Sequence, residues 1–281
     1  MLEASELKRG AELMRQSSAG VMQVGLGSGP GALLMTPLMC HMAQNHPKVK
    51  VQITRGATEL QLVQLRARIA HTFPTHQFWG EESDAGEPTR LDPDRYTWLI
   101  DPIDGSMNFL RGYPQYAVSI ALLQGSEPIV GCVMDPVRGE CFDAALGLGA
   151  QVNGTPLRVA HTAQLAQAVA ATVFPKPTAA WMDLYLAELG ACLRGCAGAR
   201  RAGSMALELA YLAAGRVDVF WARGMGAWDA AAGRLLIQEA GGAFWTLDGE
   251  PWWRSRAVAA SAPGVETLWQ NLLQDAAQTL K

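Results

Sequence analysis

Charge is scarce in this 281-residue chain: Asp, Glu, Lys and Arg make up 17%, and the formal net charge is −3. That balance gives no electrostatic case for nucleic acid as the main partner. Cysteine is sparse and odd in number, five in all, at no disulfide-like spacing. Such usage fits a reducing cytoplasm. Cys192 and Cys196 form a C-x3-C pair, but no His or Cys cluster completes a zinc site, so both read as buried free thiols. There is no internal repeat and no low-complexity tract. From Gln16 to Pro47 the chain has no Asp, Glu, Lys or Arg. A membrane helix needs about 20 apolar residues, and this stretch is interrupted by Gly25, Gly27, Gly29, Pro30 and Gly31. Glu3, Glu6 and Glu12 are wrong for a signal peptide. The stretch reads as a helix, a Gly-rich turn and a second helix. The glycine run lacks the Lys-Ser/Thr ending of a P-loop, and Pro30 does not suit a dinucleotide fingerprint, so it reads as a loop.

Apolar residues are plentiful, at 49%, enough for a large core and too many for a disordered chain. The length suits two fused lobes, divided near residue 150 into segments 1–150 and 151–281. Residues 2–16 read as an amphipathic helix with Leu2, Leu7, Ala11 and Met14 on one face. Residues 57–72 read as another. Strands are expected at 77–80, 96–100, 117–124, 129–135 and 140–145, the third and fourth forming a hairpin across Gly125-Ser126. Gln151 to Thr155 reads as a hairpin turn. Beyond about residue 160 Ala-rich helices are expected at 163–170, 178–193 and 204–214. Strands are expected at 169–174, 217–221, 243–246 and 256–260. A helix over 229–240 stops at Gly241-Gly242, and another closes the chain at 263–279.

Acidic residues sit in three suggestive settings. Asp101-Pro102-Ile103-Asp104-Gly105-Ser106 follows the apolar run Trp98-Leu99-Ile100. It puts two carboxylates at a turn sharpened by Pro and Gly. Clustered carboxylates are costly to desolvate unless a cation lies between them. Mg²⁺ prefers such oxygen ligands, with waters and a substrate phosphate completing its shell. Gly105, without a side chain, would let a phosphate approach the amides that follow. Gly80-Glu81-Glu82-Ser83 places two more acids after a strand, and Trp228-Asp229 opens an apolar helix. Taken singly, each has a plainer reading: turn chemistry at Asp101 and Asp104, a solvated turn at Glu81 and Glu82, a helix cap at Asp229.

Together these segments resemble the inositol monophosphatase family of Mg²⁺-dependent, lithium-sensitive phosphatases, from about residue 73 to residue 245. The G-E-E-S motif is matched at 80–83, D-P-[IL]-D-G-[ST]-x-N-[FY] at Asp101 to Phe109, and W-D-x-A-A-G…E-A-G-G from Trp228 to Gly242. Tyr116 to Ile120, Gly149 to Gly154 and Gly203-Ser204-Met205 through Asp218 are also similar. The resemblance implies an α/β (α+β) fold, a layered α/β/α/β/α sandwich of the inositol monophosphatase / fructose-1,6-bisphosphatase type, with the site between the lobes. It implies that Glu81, Asp101 and the carbonyl of Ile103 hold one Mg²⁺, and that Asp101, Asp104 and Asp229 hold a second. Gly105 and Ser106 would seat the phosphate, and the Ser106 hydroxyl would orient the attacking water. Asp104, Gly203, Ser204, Arg223 and Asp229 complete the expected substrate site. Glu81, Asp101 and Ser106 would be catalytic, in a direct in-line attack with no phospho-enzyme. The implied partner is a small phosphorylated metabolite. No membrane is involved, and family members are commonly homodimers. His76, near the site, reads as a surface or strand-edge residue.

Two positions depart from the family pattern. The Asp that assists a third, weaker metal falls on Thr58 here, with Glu59 one position on. The Glu that binds a sugar hydroxyl, seven positions before Asp229, is replaced by Ala222, followed by Arg223. Loss of that acid argues against tight myo-inositol specificity, and Arg223 could meet a second anionic group. Adenosine 3′,5′-bisphosphate, histidinol phosphate and sugar phosphates are the alternative substrates. The other alternative is a weakly active regulatory relative binding transcription machinery, for which Arg194, Arg200 and Arg201 offer a small basic cluster.

Overall fold

The computed structural model describes residues 19–26, 48–55, 58–80 and 91–279, with side chains from residue 65 onward. The expected helix at 2–16, and Glu81 with it, lie outside the described residues. Within the uncharged stretch the expectation fails. Ala19–Leu26 is a strand, β1, paired in parallel with β2, Lys48–Arg55, from Ala19↔Lys48 to Leu26↔Arg55. The reason is legible in β2, where Val49, Val51 and Ile53 alternate with polar residues at the period of a strand.

Helix α1, Thr58–Thr72, leads into a seven-stranded sheet. Its strands lie in sequence order: β3 (Gln77–Gly80), β4 (Tyr96–Asp104), β5 (Ala117–Gln124), β6 (Glu127–Asp135), β7 (Glu140–Ala145), β8 (Ala150–Val152) and β9 (Thr155–Pro156). Only β3 and β4 pair in parallel. The turn at Asn153-Gly154 has positive φ at both residues, as a two-residue hairpin requires. This sheet runs through Pro156, past the division expected near residue 150.

A five-stranded sheet follows: β10 (Val169–Thr172), β11 (Gly198–Arg200), β12 (Val219–Arg223), β13 (Ala243–Thr246) and β14 (Ala257–Ser261), in the order β11-β10-β12-β14-β13. The helix expected at 163–170 is only a 3₁₀ turn, Leu165–Gln167, before β10. Asp218 explains this. Its carboxylate accepts the Val169 N–H at 2.7 Å, and its own N–H donates to Val169 O at 2.8 Å. Those bonds draw the segment into the sheet against its alanine content.

Helices α4 (Met205–Ala213) and α5 (Ala227–Glu239) pack between the two sheets. A helix covered on both sides must be apolar nearly all round, and Ala206, Leu207, Leu209, Ala210 and Leu212 are fully buried. Close packing requires small residues. A Cβ on Gly131 of β6 would lie 3.0 Å from Ala232 Cα of α5, and one on Gly233 would strike Leu209 of α4. Helices α3 (Met182–Gly195) and α6 (Glu266–Gln278) pack on each other and on the small sheet. Large sheet, helix pair, small sheet and helix pair stack as layers of the sandwich. Cys192 is buried and Cys196 half-buried, both as free thiols.

Candidate metal centre

The strand β4 does not end at Ile100 but runs on to Asp104. Ile100 pairs with Ile120 and Asp101 with Ser119, but Asp104 pairs with Ala117. Three steps on β4 therefore oppose two on β5, a bulge of one residue. On a regular strand, residues three apart point to opposite faces. The extra residue cancels that inversion and re-aims the second acid. The bulge brings both carboxylates to one side.

Asp229 arrives from the first turn of α5. Its Oδ2 accepts the Gly226 N–H at 2.8 Å, the reach-back bond of a helix cap. Ser119 Oγ donates to Trp228 O at 3.2 Å, and the Trp228 ring meets Trp79 of β3 edge-to-face at 5.9 Å. These contacts dock the start of α5 on the large sheet. One carboxylate oxygen each from Asp101, Asp104 and Asp229 then lies within 4.8 Å of the others. Asp101 and Asp104 are buried and Asp229 half-buried. Like charges at that separation repel by roughly 3 kcal/mol per pair at an effective dielectric constant near 20. Hard oxygen donors so gathered fit a divalent cation of the Mg²⁺ type.

Hydrogen bonds hold the acids in place. Asp101 Oδ1 accepts the Ile103 N–H at 2.9 Å. Asp104 Oδ2 accepts both the buried Ser204 hydroxyl at 2.6 Å and the Ala206 N–H at 2.7 Å. Asp104 thus binds the first turn of α4, one hundred residues away. Gly105 has φ +87°, and a Cβ there would lie 3.0 Å from both Gln115 O and Gly203 O. Gly203, at φ +90°, likewise admits the Asn108 side chain. Ser106 opens the short helix α2, Ser106–Leu110, and is exposed beside Gly105.

The expected residues Asp101, Ile103, Asp104, Gly105, Gly203, Ser204 and Asp229 are thereby brought together, with Ser106 next to Gly105 in the chain. Gly80, just before Glu81, pairs with Ile100, just before Asp101. Arg223 is placed differently from expectation. Its Nε and Nη2 meet the fully buried Glu188 of α3 at 3.0 and 2.5 Å, a bidentate pair within the chain. Ala222 is fully buried in β12, opposite Val258. His76 is buried, not at the surface; it accepts the Trp98 indole N–H at 3.0 Å and stacks on Phe73. Thr58 and Glu59 open α1, outside the described side chains.

Two site residues escaped the sequence reading. Asn108 Nδ2 donates to Gln115 O and to Ala202 O, at 2.7 Å each, tying α2 to the loop before Gly203. Its place in the 101–109 motif was the available signal. Glu208, buried in α4, accepts the Ala202 N–H at 3.1 Å. Burial first, and the charge of Asp104 next, push its carboxyl up to about 7. An acid in an otherwise apolar helix was the signal for it.

Fold and site together define a layered sheet–helix protein with a cluster of three carboxylates able to hold a cation. The profile of the inositol monophosphatase family matches residues 45–280, and the chain belongs to that family. It is 40% identical over 207 residues to the Nus factor SuhB of Pasteurella multocida, covering 73% of this chain and 76% of that protein. It is 42% identical over 186 residues to the inositol-1-monophosphatase of Rhizobium meliloti, covering 66% and 68%. The solved inositol monophosphatase of Anabaena (Nostoc) sp. PCC 7120 superposes with a TM-score of 0.70 at 31% identity, over 87% of this chain and 92% of that one.

Proposed function

We propose that this chain is a Mg²⁺-dependent phosphate monoester hydrolase, cytoplasmic and homodimeric, acting on a small phosphorylated metabolite. The observation that carries this reading is the convergence of Asp101, Asp104 and Asp229 from two distant segments. The family match and a 42% identical inositol-1-monophosphatase support it. Asp101, Asp104 and Asp229, with Glu81 and the Ile103 carbonyl, would hold two Mg²⁺ ions; Thr58 leaves a third without its usual acid. Bound Mg²⁺ supplies charge neutralisation and activation of a water for direct in-line hydrolysis. The chain's own contribution is placement. Gly105 keeps the backbone open to a phosphoryl group, with the Ser106 hydroxyl beside it to orient the water. Ser204 directs its proton to Asp104 and so fixes that carboxylate. Inositol 1-phosphate is the default substrate by kinship.

The test is phosphate release from a panel of small esters with and without Mg²⁺. Asp101→Asn should bring Mg²⁺-dependent release to background; survival at the wild-type level would remove the assigned metal bridge. Millimolar lithium should inhibit the wild type. A second reading, a regulatory role with transcription machinery, is favoured by the relatives named Nus factor SuhB at 40% identity and above. Partner binding that survives Asp101→Asn would support it as a separate activity.

A further inference from the structure

The face of β5 that meets α5 carries a single polar side chain. Residues two apart on a strand share a face. Ala117, Ala121 and Leu123, all buried, make up this row with Ser119. Ser119 is 1% exposed. A hydroxyl at that depth is costly unless it is hydrogen-bonded. Alanine fills the neighbouring positions of the row, so packing alone does not call for a serine here.

Two observations say what the hydroxyl does. Ser119 is the register partner of Asp101, on the last regular rung before the bulge that re-aims Asp104. Its Oγ donates to Trp228 O at 3.2 Å, and Trp228 immediately precedes Asp229. One side chain therefore ties the rung that holds Asp101 to the helix turn that holds Asp229. Packing leaves this distance open. Gly131 and Ala232 set how near α5 lies to the sheet, but apolar contact is non-directional and does little to stop a helix sliding along the strands. A hydrogen bond constrains distance and angle together. The other side of the same turn is held by the Trp228 ring. It lies over Gly226, where a Cβ would strike the indole, and it meets Trp79 edge-to-face.

We infer that Ser119 is a positioning residue for the acidic centre. It sets the gap between Asp101 and Asp229, and with it the affinity for a divalent cation shared by those carboxylates. The inference rests on the cation site of the phosphatase reading and adds a residue that governs how tightly that site binds. Ser119 acts through the Trp228 carbonyl and not as a ligand. Partners that orient metal ligands are typically worth about 10–100-fold in affinity. Ser119 acts one step further out, so its effect belongs at the low end.

The experiment measures Mn²⁺ binding by electron paramagnetic resonance in the full chain. Mn²⁺ suits the same oxygen ligands as Mg²⁺. Wild type is compared with Ser119→Ala, which fits a row of alanines, and with Ser119→Cys, which keeps the side-chain size but donates weakly. Both variants should bind Mn²⁺ about tenfold more weakly. Their melting temperatures in EDTA should stay within about 4 °C of the wild type. The Mg²⁺ concentration for half-maximal phosphate release should rise with the Mn²⁺ dissociation constant. Weaker Mn²⁺ binding in both variants supports the role even if no ester is hydrolysed, in which case the phosphatase reading alone fails. Unchanged Mn²⁺ binding overturns the role and leaves that reading standing, whether or not the melting temperature drops. Wild-type affinity restored by cysteine also overturns it, because volume and not the hydrogen bond would then be the cause. A wild type that binds no Mn²⁺ overturns both.

Discussion

Buried charge is handled in opposite ways in two parts of this molecule. Between α3 and β12, Glu188 and Arg223 cancel each other through two hydrogen bonds in a site nearly closed to solvent. At the acidic centre three carboxylates converge instead. The first arrangement is a closed electrostatic account within the fold. The second gathers like charges, whose repulsion a cation among them would lower. Such clusters of acids are more frequent where chemistry is done than elsewhere in a fold.

The comparison can be broken most forcefully at the pair. Glu188→Ala leaves Arg223 buried without its partner and should destabilise the protein by roughly 3–5 kcal/mol, read by urea unfolding. Replacing both at once, as Glu188→Leu with Arg223→Met, should restore most of that loss. A double variant no better than the single would show that the pair does not act as a unit.

Glu208 extends the acidic side of the contrast. Its folded-state pKa, about 7, lies above the ordinary value of 4.5, raised by burial and by Asp104. A raised carboxyl favours the fold in its protonated form. Its stabilising contribution is complete below about pH 4.5 and is lost as pH rises through 7. In metal-free buffer Glu208→Gln should remove up to roughly 3 kcal/mol of that pH dependence. Thermal melts of both proteins from pH 4.5 to 8 check this; identical slopes would refute it.

Smaller effects sharpen the same contrast. Asn108→Ala deletes two hydrogen bonds to carbonyls and should cost about 1–3 kcal/mol. Phosphate release should fall more than the melting temperature predicts, because the loop before Gly203 loses its tie to α2. Smallest is Asp101→Asn in the absence of divalent cations. It should raise stability by about 1 kcal/mol, because the relieved repulsion is largely offset by the weaker hydrogen bond that a neutral amide accepts from the Ile103 N–H. Denaturant unfolding in EDTA measures it, and a loss of stability would contradict the repulsion account.

Strand and helix periodicity made much of the fold legible. The hairpin of β5 and β6, the turn at Asn153-Gly154 and the helix stop at Gly241-Gly242 all follow from local chemistry. Local chemistry misled where a distant partner competed. Asp218 draws Val169 into a sheet despite the alanines around it. The parallel partner β2 accompanies a strand at 19–26 in place of the expected helix. Arg223 illustrates the same limit at the site, since nothing near it in sequence announces Glu188, thirty-five residues earlier.

The sequence by itself determined which residue types were present for chemistry: Asp101, Asp104 and Asp229 in motif settings, with Gly105 and Ser106 beside them. Their kinship was also readable, because motif order and spacing survive in one dimension. Only the tertiary structure decided that the acids meet. Two positions three apart on a strand share a side only through a bulge, and that bulge is set by pairing with β5. Asp229 joins them only because Gly131 and Gly233 let α5 lie close against β6 and α4. Distance through space is fixed by packing, which no local pattern encodes.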